Sequence, residues 1–432
     1  FIRRTPLSRI LVLGKGAREH ALLWKLAQSP HITELFCIPG NAGTATIASN
    51  HDIPLDDKPA LIAFAKAKKI FLTIVGPDEL LAAGIVDAFE QESLNIIGPS
   101  RRAARIESSK AYSKRVMKTK GIPTASYRVF KSYERAIQFI SSGELPLVIK
   151  VSGLAMGKGV FIVSSFEEAE KALQRILVKD EFGIDQKVVI EEYLVGEEVS
   201  FHALCNGYSA HMFPACQDHK TLYDGDSGPN TGGMGSICPV PWISDSLLKK
   251  VSQTMVYPVL EALRNEGHIF KGCLFPGAMM TPHGLMVLEY NARFGDPETQ
   301  SYMRLLQTDL LDLLQHSVLL NPNHPKDLTW KLGFAVCVVL SSEGYPGPHE
   351  AGKVITGLEE ADKSEGVIVF HAGTAIVGGQ IVTAGGRVLS VTATGETPEE
   401  AVSRAYAAVE KIHFDGMHFR RDIGTRVLSR SS

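Results

Sequence analysis

Strand and helix signals alternate through the first hundred residues, and this alternation restricts the fold more than any other feature of the chain. Short apolar runs end at glycine or proline, and helical stretches lie between them. The predicted strands are Arg9–Leu13, Glu34–Ile38, Phe71–Val75 and Asn95–Ile97, and the predicted helices are Glu19–Ala27 and Pro59–Lys68. Such alternation predicts βαβ units and a parallel sheet. Small ligands bind at the carboxyl ends of the strands in sheets of this kind.

A second region begins at about residue 108, and a third follows the loop at 321–326. The second opens with a basic helix over Ser108–Lys120, which ends at Gly121. Predicted strands follow at Leu147–Val151, Val160–Val163, Lys187–Glu192, Val199–Leu204, Phe334–Leu340, Val367–Phe370 and Arg387–Thr392, before a closing helix at Pro398–Lys411. We therefore expect a multidomain α/β and α+β protein. Its predicted domains are an N-terminal parallel-sheet domain at 1–107, a second domain at 108–325 and a β-rich C-terminal domain at 326–432.

Two further segments carry structural predictions. Gln217–Gly235 is polar and glycine-rich, and we predict that it contains no regular element. Loops of that length in compact domains are usually functional or disordered. Pro276 falls in a predicted strand, which restricts it to a bulge or an edge because proline has no N–H group to donate.

Composition argues against several classes of function. A net charge of −2 on 432 residues provides neither a nucleic-acid footprint nor attraction to a membrane surface. No apolar run approaches the roughly 18 residues of a membrane span, and Ile10–Leu13 is too short for the apolar region of a signal peptide. The six cysteines occur singly, which favours free thiols in a reducing compartment. Composition therefore predicts a cytoplasmic protein that binds neither nucleic acid nor membrane. We also expect a monomer, although composition itself does not address the oligomeric state.

The segment Gly284–Glu298 carries the strongest chemical signal. Alternation along a strand predicts one shared face for four of its residues. These are Leu285, Val287, Glu289 and Asn291. A carboxylate and an amide carbonyl spaced two apart suit a hard cation such as Mg²⁺, and Arg293 follows at once. A cation beside a guanidinium can neutralise the charge of phosphoryl transfer. The alternative is a buried strand with a polar end and an Arg–Asp ion pair.

Two glycine-containing loops have the composition of phosphate-binding loops. Gly14–Glu19 follows a strand and opens a helix, so its N–H groups can face a phosphate. Glu19 occupies the third glycine position of a dinucleotide fingerprint, and a structural turn is the alternative. Ser152–Gly159 lies between two strands and is predicted to fold over a triphosphate as a flap, with an exposed hairpin loop as the alternative. Lys150 could add a charge-assisted contact to the same phosphates.

Two polar segments are candidates for ligand contacts. Glu191 could accept a hydrogen bond from an adenine amino group, while the backbone at Glu192 and Leu194 could read the ring edge. The alternative for these residues is an ordinary acidic strand end. Asp218–Lys220 and Gly228–Gly235 supply donors and permissive backbone that can approach an anionic ligand closely.

Twelve short motifs, in order along nearly the whole chain, together resemble those of a known family. They read GKGAREHA, PGNAGT, TIVGP, ESSKAYSK, GLAMGKGV, IEEYLVGEE, QDHK, DSGPNTGGMG, LEYNARFGDPETQ, GYPG, VFHAGT and GGRVLSVTA. The chain resembles the phosphoribosylamine–glycine ligase family of the ATP-grasp superfamily. The resemblance implies an ATP-grasp domain at 108–325 with a mobile lid subdomain at about 123–190. It also implies ligation of glycine to 5-phosphoribosylamine with ATP, through a glycyl-phosphate, in the second step of purine synthesis.

The resemblance also implies roles for individual residues. Glu289 and Asn291 would hold Mg²⁺ or Mn²⁺, and the catalytic residues would be Arg293, Lys150 and Glu289. ATP would contact Lys110, Lys150, Gly157, Lys158, Gly159, Glu191, Glu192, Leu194 and Glu198. The other substrates would contact Gly14, Gly16, Arg18, Glu19, Asp78, Asp218, Lys220, Asn230, Thr231, Gly232, Arg293 and Asp296.

Several residues depart from the family pattern, mostly on the phosphoribosylamine side. They are Ala17, Asp78, Ser152, Met156, Thr221 and Ile237. Asp78 and Thr221 motivate one alternative, an ATP-grasp ligase with a changed acceptor. A second alternative is a nucleotide-binding regulator without catalysis, although Glu289, Asn291, Arg293 and Lys150 all persist.

Overall fold

A parallel sheet covered by helices on both faces forms the N-terminal region of the computed structural model. The structure describes residues 8–154, 159–184, 186–318 and 328–431. The first elements are β1 (Ser8–Gly14), α1 (Ala17–Leu26), β2 (Ile32–Pro39), β3 (Ser49–Asn50), α2 (Lys58–Ala67), β4 (Leu72–Val75), α3 (Asp78–Ala82), α4 (Ile85–Gln91) and β5 (Ile96–Ile97). The strands are parallel in the order β3-β2-β1-β4-β5, which confirms the predicted sheet.

The two faces of β1 contribute to separate cores. Ile10 and Val12 pack in one cluster, and Leu11 and Leu13 pack in another. A strand buried on both faces is expected in a parallel sheet that is covered by helices.

An antiparallel sheet of four strands follows, preceded by two helices. The elements are α5 (Arg105–Ser108), α6 (Lys110–Lys120), β6 (Tyr127–Phe130), α7 (Tyr133–Ser141), β7 (Leu147–Val151), β8 (Val160–Val163), α8 (Phe166–Leu177) and β9 (Val188–Glu192). The order is β6-β9-β7-β8, and α7 and α8 pack against the sheet in one apolar cluster. Strands β7 and β8 flank the predicted flap, of which residues 155–158 lie outside the described residues.

The central part of the chain builds a second antiparallel sheet. Its elements are β10 (Glu197–Ser200), β11 (Ala203–Cys205), β12 (Ala210–Met212), β13 (Gln217–Asp218), β14 (Thr221–Tyr223), β15 (Ser227–Asn230), β16 (Gly235–Cys238), α9 (Asp245–Val251), a π-helical turn (Ser252–Val256), α10 (Tyr257–Asn265), β17 (Gly272–Thr281), β18 (Gly284–Asn291), α11 (Glu298–Leu305) and α12 (Leu310–Val318). Of these elements, the strands β10, β11, β12, β17 and β18 form the second antiparallel sheet. Strand β17 lies at the centre of this sheet and pairs with β10, β11 and β18.

Two predictions of secondary structure for this part are wrong. The predicted strand Val199–Leu204 is divided into β10 and β11, which both pair with β17. At the break, the N–H of Phe201 donates to the carbonyl of Pro276. The segment Gln217–Gly235 is not without regular elements, because it contains β13 and the hairpin of β14 and β15. The segment is polar and glycine-rich, so no apolar run marks these short strands.

A bulge in β18 decides which side chains share a face. Val287 pairs with Ala278 and Glu289 pairs with Gly277, so Leu288 is an extra residue without a partner in the register. Pro276 itself pairs with Tyr290 in the central strand β17, and the irregularity lies one residue beyond it, with the extra residue in β18. The expectation that Pro276 lies at a bulge or an edge is thus met only by a bulge in the neighbouring strand.

The bulge corrects the predicted face of the strand. An extra residue shifts the alternation by one position, so the side chains change faces beyond it. The core side of β18 holds Leu285, Val287, Tyr290 and Ala292. The prediction that Glu289 and Asn291 share a face with Val287 is therefore wrong. Both polar residues instead line a cavity beside the strand end.

The C-terminal region forms a fourth large sheet with contributions from the central part. Its elements are β19 (Phe334–Ser341), α13 (Leu358–Asp362), β20 (Val367–His371), β21 (Thr374–Val377), β22 (Gln380–Thr383), β23 (Arg387–Gly395), α14 (Pro398–Val409) and α15 (Thr425–Ser431). The order is β13-β16-β19-β23-β20, and α14 packs on its apolar face. The central and C-terminal regions therefore share a sheet.

The cysteines agree with the expectation of free thiols. All six cysteines are free and buried. Among the helices of the described ranges, none is both long and apolar enough to cross a bilayer.

Candidate active site

A cavity of about 680 Å³ lies where the four large sheets approach one another. Most of the predicted site residues line it. They are Arg18, Asp78, Lys110, Lys150, Gly159, Glu191, Glu192, Leu194, Glu198, Asp218, Lys220, Asn230, Thr231, Gly232, Glu289, Asn291, Arg293 and Asp296. Gly157 and Lys158 lie outside the described residues. Three predicted residues, Gly14, Gly16 and Glu19, are not part of the described lining.

The loop at Gly14–Glu19 is built around a buried carboxylate. Glu19 accepts the N–H of Gly16 at 2.6 Å and pairs with Arg18 Nε at 2.7 Å. A Cβ at Gly14, Gly16 or Gly76 would overlap the Glu19 side chain. The glycines therefore make room for Glu19, and the N–H of Gly16 already has an anionic partner. Arg18, which also donates to the carbonyl of Phe294 at 3.2 Å, is the member of this loop that reaches the cavity.

The end of β18 brings the predicted metal ligands together. Arg293 Nη2 lies 3.4 Å from Asn291 Oδ1, and Lys220 Nζ lies 3.4 Å from Glu289 Oε1. Burial alone would raise the pKa of Glu289, but Lys220, Lys110, Lys150 and Arg293 outweigh it and lower the pKa to about 2. Glu289 is therefore an ionised oxygen donor at neutral pH.

These two oxygens fit a hard cation that keeps other ligands. Within the described ranges, no group of three or more His, Cys, Asp or Glu side chains is arranged to hold a metal ion. Glu289 and Asn291 thus match an ion held by one or two protein oxygens together with substrate phosphates and water. The basic side chains around Glu289 supply the complementary charge for those phosphates.

Lysines and a buried glutamate form the wall on the side of β7 and β9. Glu191 Oε2 lies 3.0 Å from both Lys150 Nζ and Lys114 Nζ. Its Oε1 is buried and has no hydrogen-bond partner among the described residues. Burial lowers the pKa of Lys114 to about 8 even though Glu191 opposes this shift. Lys110 donates to the carbonyl of Gly153 at 3.4 Å, at the base of the predicted flap.

Lys220 joins the two sides of the cavity. Its Nζ lies 3.1 Å from Glu198 Oε2, the predicted ribose contact, as well as close to Glu289. Burial would lower the pKa of Lys220, but Glu198, Glu289 and Asp218 raise it, so the side chain remains charged. The structure therefore places this lysine beside the predicted ATP and metal carboxylates.

Two buried carboxyl groups form the opposite wall. Burial raises the pKa of Asp218, and the neighbouring Glu298 raises it further. Burial also raises the pKa of Glu298, which accepts a hydrogen bond from Ser200 Oγ at 2.9 Å. Asp218 Oδ1 is buried without a partner among the described residues. Like charges at close range favour a shared proton.

The C-terminal region completes the cavity by fixing the loop at Asn230–Gly233. Tyr345 Oη accepts the N–H of Gly232 at 2.9 Å. Arg387 Nη1 donates to the carbonyls of Gly232 and Asp296, both at 2.8 Å, and its Nη2 pairs with the Asp296 carboxylate at 3.0 Å. The loop is therefore held from the C-terminal sheet.

Comparison with known protein families identifies the family to which the chain belongs. Models of the phosphoribosylglycinamide synthetase N domain, ATP-grasp (A) domain and C domain match residues 8–107, 108–299 and 335–426. The chain belongs to the phosphoribosylglycinamide synthetase family. Membership makes the protein an ATP-dependent ligase of ATP-grasp type that acts on small molecules with a divalent metal ion.

Relatives match this synthetase along nearly its whole length. A phosphoribosylamine–glycine ligase of Rhodopirellula baltica is 44% identical over 426 residues, covering 97% of this chain and 98% of that protein. A trifunctional purine biosynthetic protein of Gallus gallus is 46% identical over 98% of this chain, which spans 42% of that protein. The crystal structure of phosphoribosylamine–glycine ligase from Thermotoga maritima matches with a TM-score of 0.83 and 38% identity, covering 96% of this chain and all of that chain.

Sequence reasoning missed several lining residues of this synthetase. They are Glu107, Lys114, Glu298, Tyr345 and Arg387. Each lies in or beside a quoted motif, so the motifs marked the segments without identifying the side chains. Their partners are distant in sequence, and only the fold shows which of them reach the cavity.

Proposed function

We propose that the protein joins the carboxylate of glycine to the amino group of 5-phosphoribosylamine. ATP is converted to ADP and phosphate, and the product is glycinamide ribonucleotide, in the second step of de novo purine synthesis. The observation that supports this best is the convergence of Glu289, Asn291 and Arg293 with Lys110 and Lys150 in one cavity. Relatives with the name phosphoribosylamine–glycine ligase match nearly the whole chain.

ATP would occupy the side formed by β7, β9 and β18. Lys110 and Lys150 would neutralise the phosphates, together with the loop that ends at Gly159. Glu191, Glu192 and Leu194 would contact the adenine, and Glu198 the ribose. Glu191 Oε1, which lacks a partner among the described residues, could accept from the adenine amino group.

Glu289 and Asn291 would hold Mg²⁺ or Mn²⁺ at the phosphates. When bound, such an ion supplies charge neutralisation and orientation of the phosphoryl group. The chain's own contribution is to fix these two oxygens on a rigid strand end beside Arg293.

The first chemical step would form glycyl-phosphate. The glycine carboxylate attacks the γ-phosphorus, and the bond to the β-phosphate oxygen breaks to release ADP. Arg293 would steady the transferred group or the carboxylate, since a guanidinium can bind either. Asp218 and Glu298 are suited to the ammonium group of glycine, because they are the buried acids of the facing wall.

In the second step, the amine of phosphoribosylamine would attack the acyl carbon, and the bond to phosphate would break. The proton lost by the amine requires an acceptor, and the carboxyl pair of Asp218 and Glu298 lines the same cavity. Arg18, Asp78 and the loop at Asn230–Gly232 would position the ribose phosphate. The phosphorylated intermediate is already activated, so the protein supplies mainly position and charge.

The alternative of a changed acceptor loses one of its two motives. Thr221 is not in the described cavity lining, and its Oγ1 accepts from Arg420 Nη1 at 2.9 Å. Asp78 does line the cavity. We further propose that the enzyme works in the cytoplasm, and the six free thiols support this compartment. We also propose that it works as a monomer.

One experiment separates the three functions. ADP release is measured with Mg-ATP and glycine, with and without freshly generated 5-phosphoribosylamine. Strict dependence on both substrates supports the proposed ligase. Release with a different amine favours another acceptor, and nucleotide binding without any release favours a regulator.

A further inference from the structure

A second concave site lies outside the cavity described above, between the end of α3 and the segment that leads into α6. It has a volume of about 560 Å³, and we refer to it as the basic pocket. Its lining consists of Ala82, Arg101, Arg102, Arg105, Ser108 and Ser109. Three of these six residues are arginines, in a chain with a net charge of −2. The pocket therefore concentrates positive charge that the protein as a whole does not have.

The three guanidinium groups are not engaged in ion pairs. Within the described residues, none of them forms a salt bridge with an aspartate or glutamate. The nearest recorded acidic contact is that of Asp87, whose Oδ2 accepts the backbone N–H of Arg101 at 2.7 Å. Other exposed arginines of this chain, such as Arg175 and Arg430, pair with carboxylates, whereas three guanidinium groups that are unpaired in the described ranges come together here. The charge of the basic pocket is thus left for a ligand.

Arg105 is held in a defined orientation. Its guanidinium lies 4.4 Å from the centre of the Tyr112 ring, and Tyr112 in turn donates to Glu266 Oε2 at 2.8 Å. A stacked guanidinium loses less conformational freedom on binding than a free side chain. Ser108 adds a hydroxyl group at the rim.

We propose that the basic pocket binds the phosphate chain of a small anion, in inorganic or nucleotide form. Three guanidinium groups match the charge of a di- or triphosphate, and arginine is suited to phosphate recognition. The lining contains no aromatic residue, so the phosphate chain is the recognised part and a base would extend outward. The proposal of binding does not depend on the proposed ligase activity.

The same short helix connects the basic pocket with the catalytic cavity. Arg105 and Ser108 of α5 line the pocket, whereas Glu107 of α5 accepts the N–H of Ala292 and pairs with Arg293. An anion that draws Arg105 and Ser108 toward itself therefore acts on the element that holds Arg293. We infer that occupancy of the pocket changes turnover, and this second part rests on the proposed function.

The test is calorimetric titration of the full chain with inorganic tripolyphosphate. The variant is R102Q/R105Q, and the matched control is R135Q/R421Q, which removes two exposed arginines that are also free of salt bridges in the described structure. Binding to the pocket should weaken at least tenfold in R102Q/R105Q and stay within twofold in the control. It should also weaken as salt rises, because the site is exposed. R102Q alone, which leaves the stacked Arg105 intact, covers the case in which the double variant does not fold.

The catalytic cavity also attracts phosphates, so Lys150→Gln serves to separate the two sites. Binding that survives in this variant and is lost in R102Q/R105Q supports the basic pocket. Equal tripolyphosphate affinity in R102Q, R102Q/R105Q and wild type would overturn the proposal, as would complete loss of binding in Lys150→Gln. Equal affinities for tripolyphosphate and ATP in the Lys150→Gln background identify the phosphate chain as the ligand, and tighter binding of ATP identifies a nucleotide.

The effect on turnover is tested separately. Added tripolyphosphate at saturating ATP should change ADP release in wild type and control but not in R102Q/R105Q. An identical response in all three would refute the coupling and leave the binding result standing.

Discussion

Glu107 offers the sharpest test of how the cavity is organised. It is buried between α5 and the end of β18, where Oε2 accepts the N–H of Ala292 at 2.7 Å and Oε1 lies 3.3 Å from Arg293 Nη2. One carboxylate thus fixes both the backbone and the guanidinium that follow Asn291, the predicted metal ligand. We predict that Glu107 is a positioning residue for Arg293, and that Glu107→Gln lowers kcat more than it changes KM for ATP.

The structure sets the size of the effect. A glutamine keeps one acceptor oxygen, which can serve either Ala292 or Arg293, while its NH₂ group faces the other donor. One charge-assisted contact is lost, which is worth about 1.5–3 kcal/mol. If this loss falls on the transition state, kcat drops by roughly 10- to 150-fold. ADP release at saturating glycine and phosphoribosylamine measures it.

The pH profile distinguishes positioning from a purely structural role. Burial raises the pKa of Glu107 to about 7, even though Arg293 opposes this shift. Glu107 is ionised above that pH and becomes protonated below it, so wild-type kcat should fall as pH falls through about 7. Glu107→Gln has no such group and should lose this acidic limb. Glu261→Gln, an exposed partner of Lys120, is the matched control. If Glu107→Gln keeps both the kcat of the wild type and the acidic limb of its pH profile, the reasoning is refuted.

Three further outcomes follow from the described contacts. Glu289→Ala should abolish ADP release while circular dichroism shows an intact fold, and near-normal turnover would contradict the metal assignment. Gly76→Ala should lower the free energy of unfolding by about 1–3 kcal/mol, because its Cβ would overlap the buried Glu19 carboxylate; urea denaturation measures this, and unchanged stability would oppose it. Burial lowers the pKa of His20 to about 3 and of His371 to about 4, so the unfolded chain takes up their protons first as pH falls below about 6.5. Their contribution to stability is present above about pH 6.5, and at about pH 5 the loss should be about 2 kcal/mol per histidine. The urea midpoints of wild type and His20→Gln, measured above pH 6.5 and at about pH 5, should converge at the lower pH. A constant difference between the two midpoints would contradict the prediction.

The periodicity of the sequence was sufficient for the parallel sheet and for the strand end at Asn291. The positions of the strands and helices in the first hundred residues depend on local apolar runs, which the sequence displays directly. The bulge at Leu288 could not be predicted in the same way. It depends on the register between β17 and β18, where Pro276 provides no N–H group. Glu289 and Asn291 remain the predicted metal ligands, and the predicted face on which they lie is the part that was wrong.

Long-range contacts explain what was missed at the site. The loop at Gly14–Glu19 has a phosphate-binding pattern, yet Gly76, from another strand end, helps enclose the Glu19 carboxylate. Arg387 reaches Asp296 from the C-terminal sheet, which no local pattern indicates. Short motifs thus identified the segments that meet, while their mutual contacts required the fold.

The departures from the family pattern can now be separated by their surroundings. Ser152 Oγ accepts the N–H of Ala111 at 3.0 Å and so supports the start of α6. Ile237 is buried in the core of the C-terminal sheet, and Thr221 bonds to the buried Arg420. Asp78, in contrast, lines the cavity with its pKa lowered, since Arg293 and Arg18 together outweigh the effect of burial. Asp78 therefore stays ionised beside two arginines and keeps a negative charge in the cavity. The acceptor side of the reaction is therefore where this chain has room to differ from its relatives.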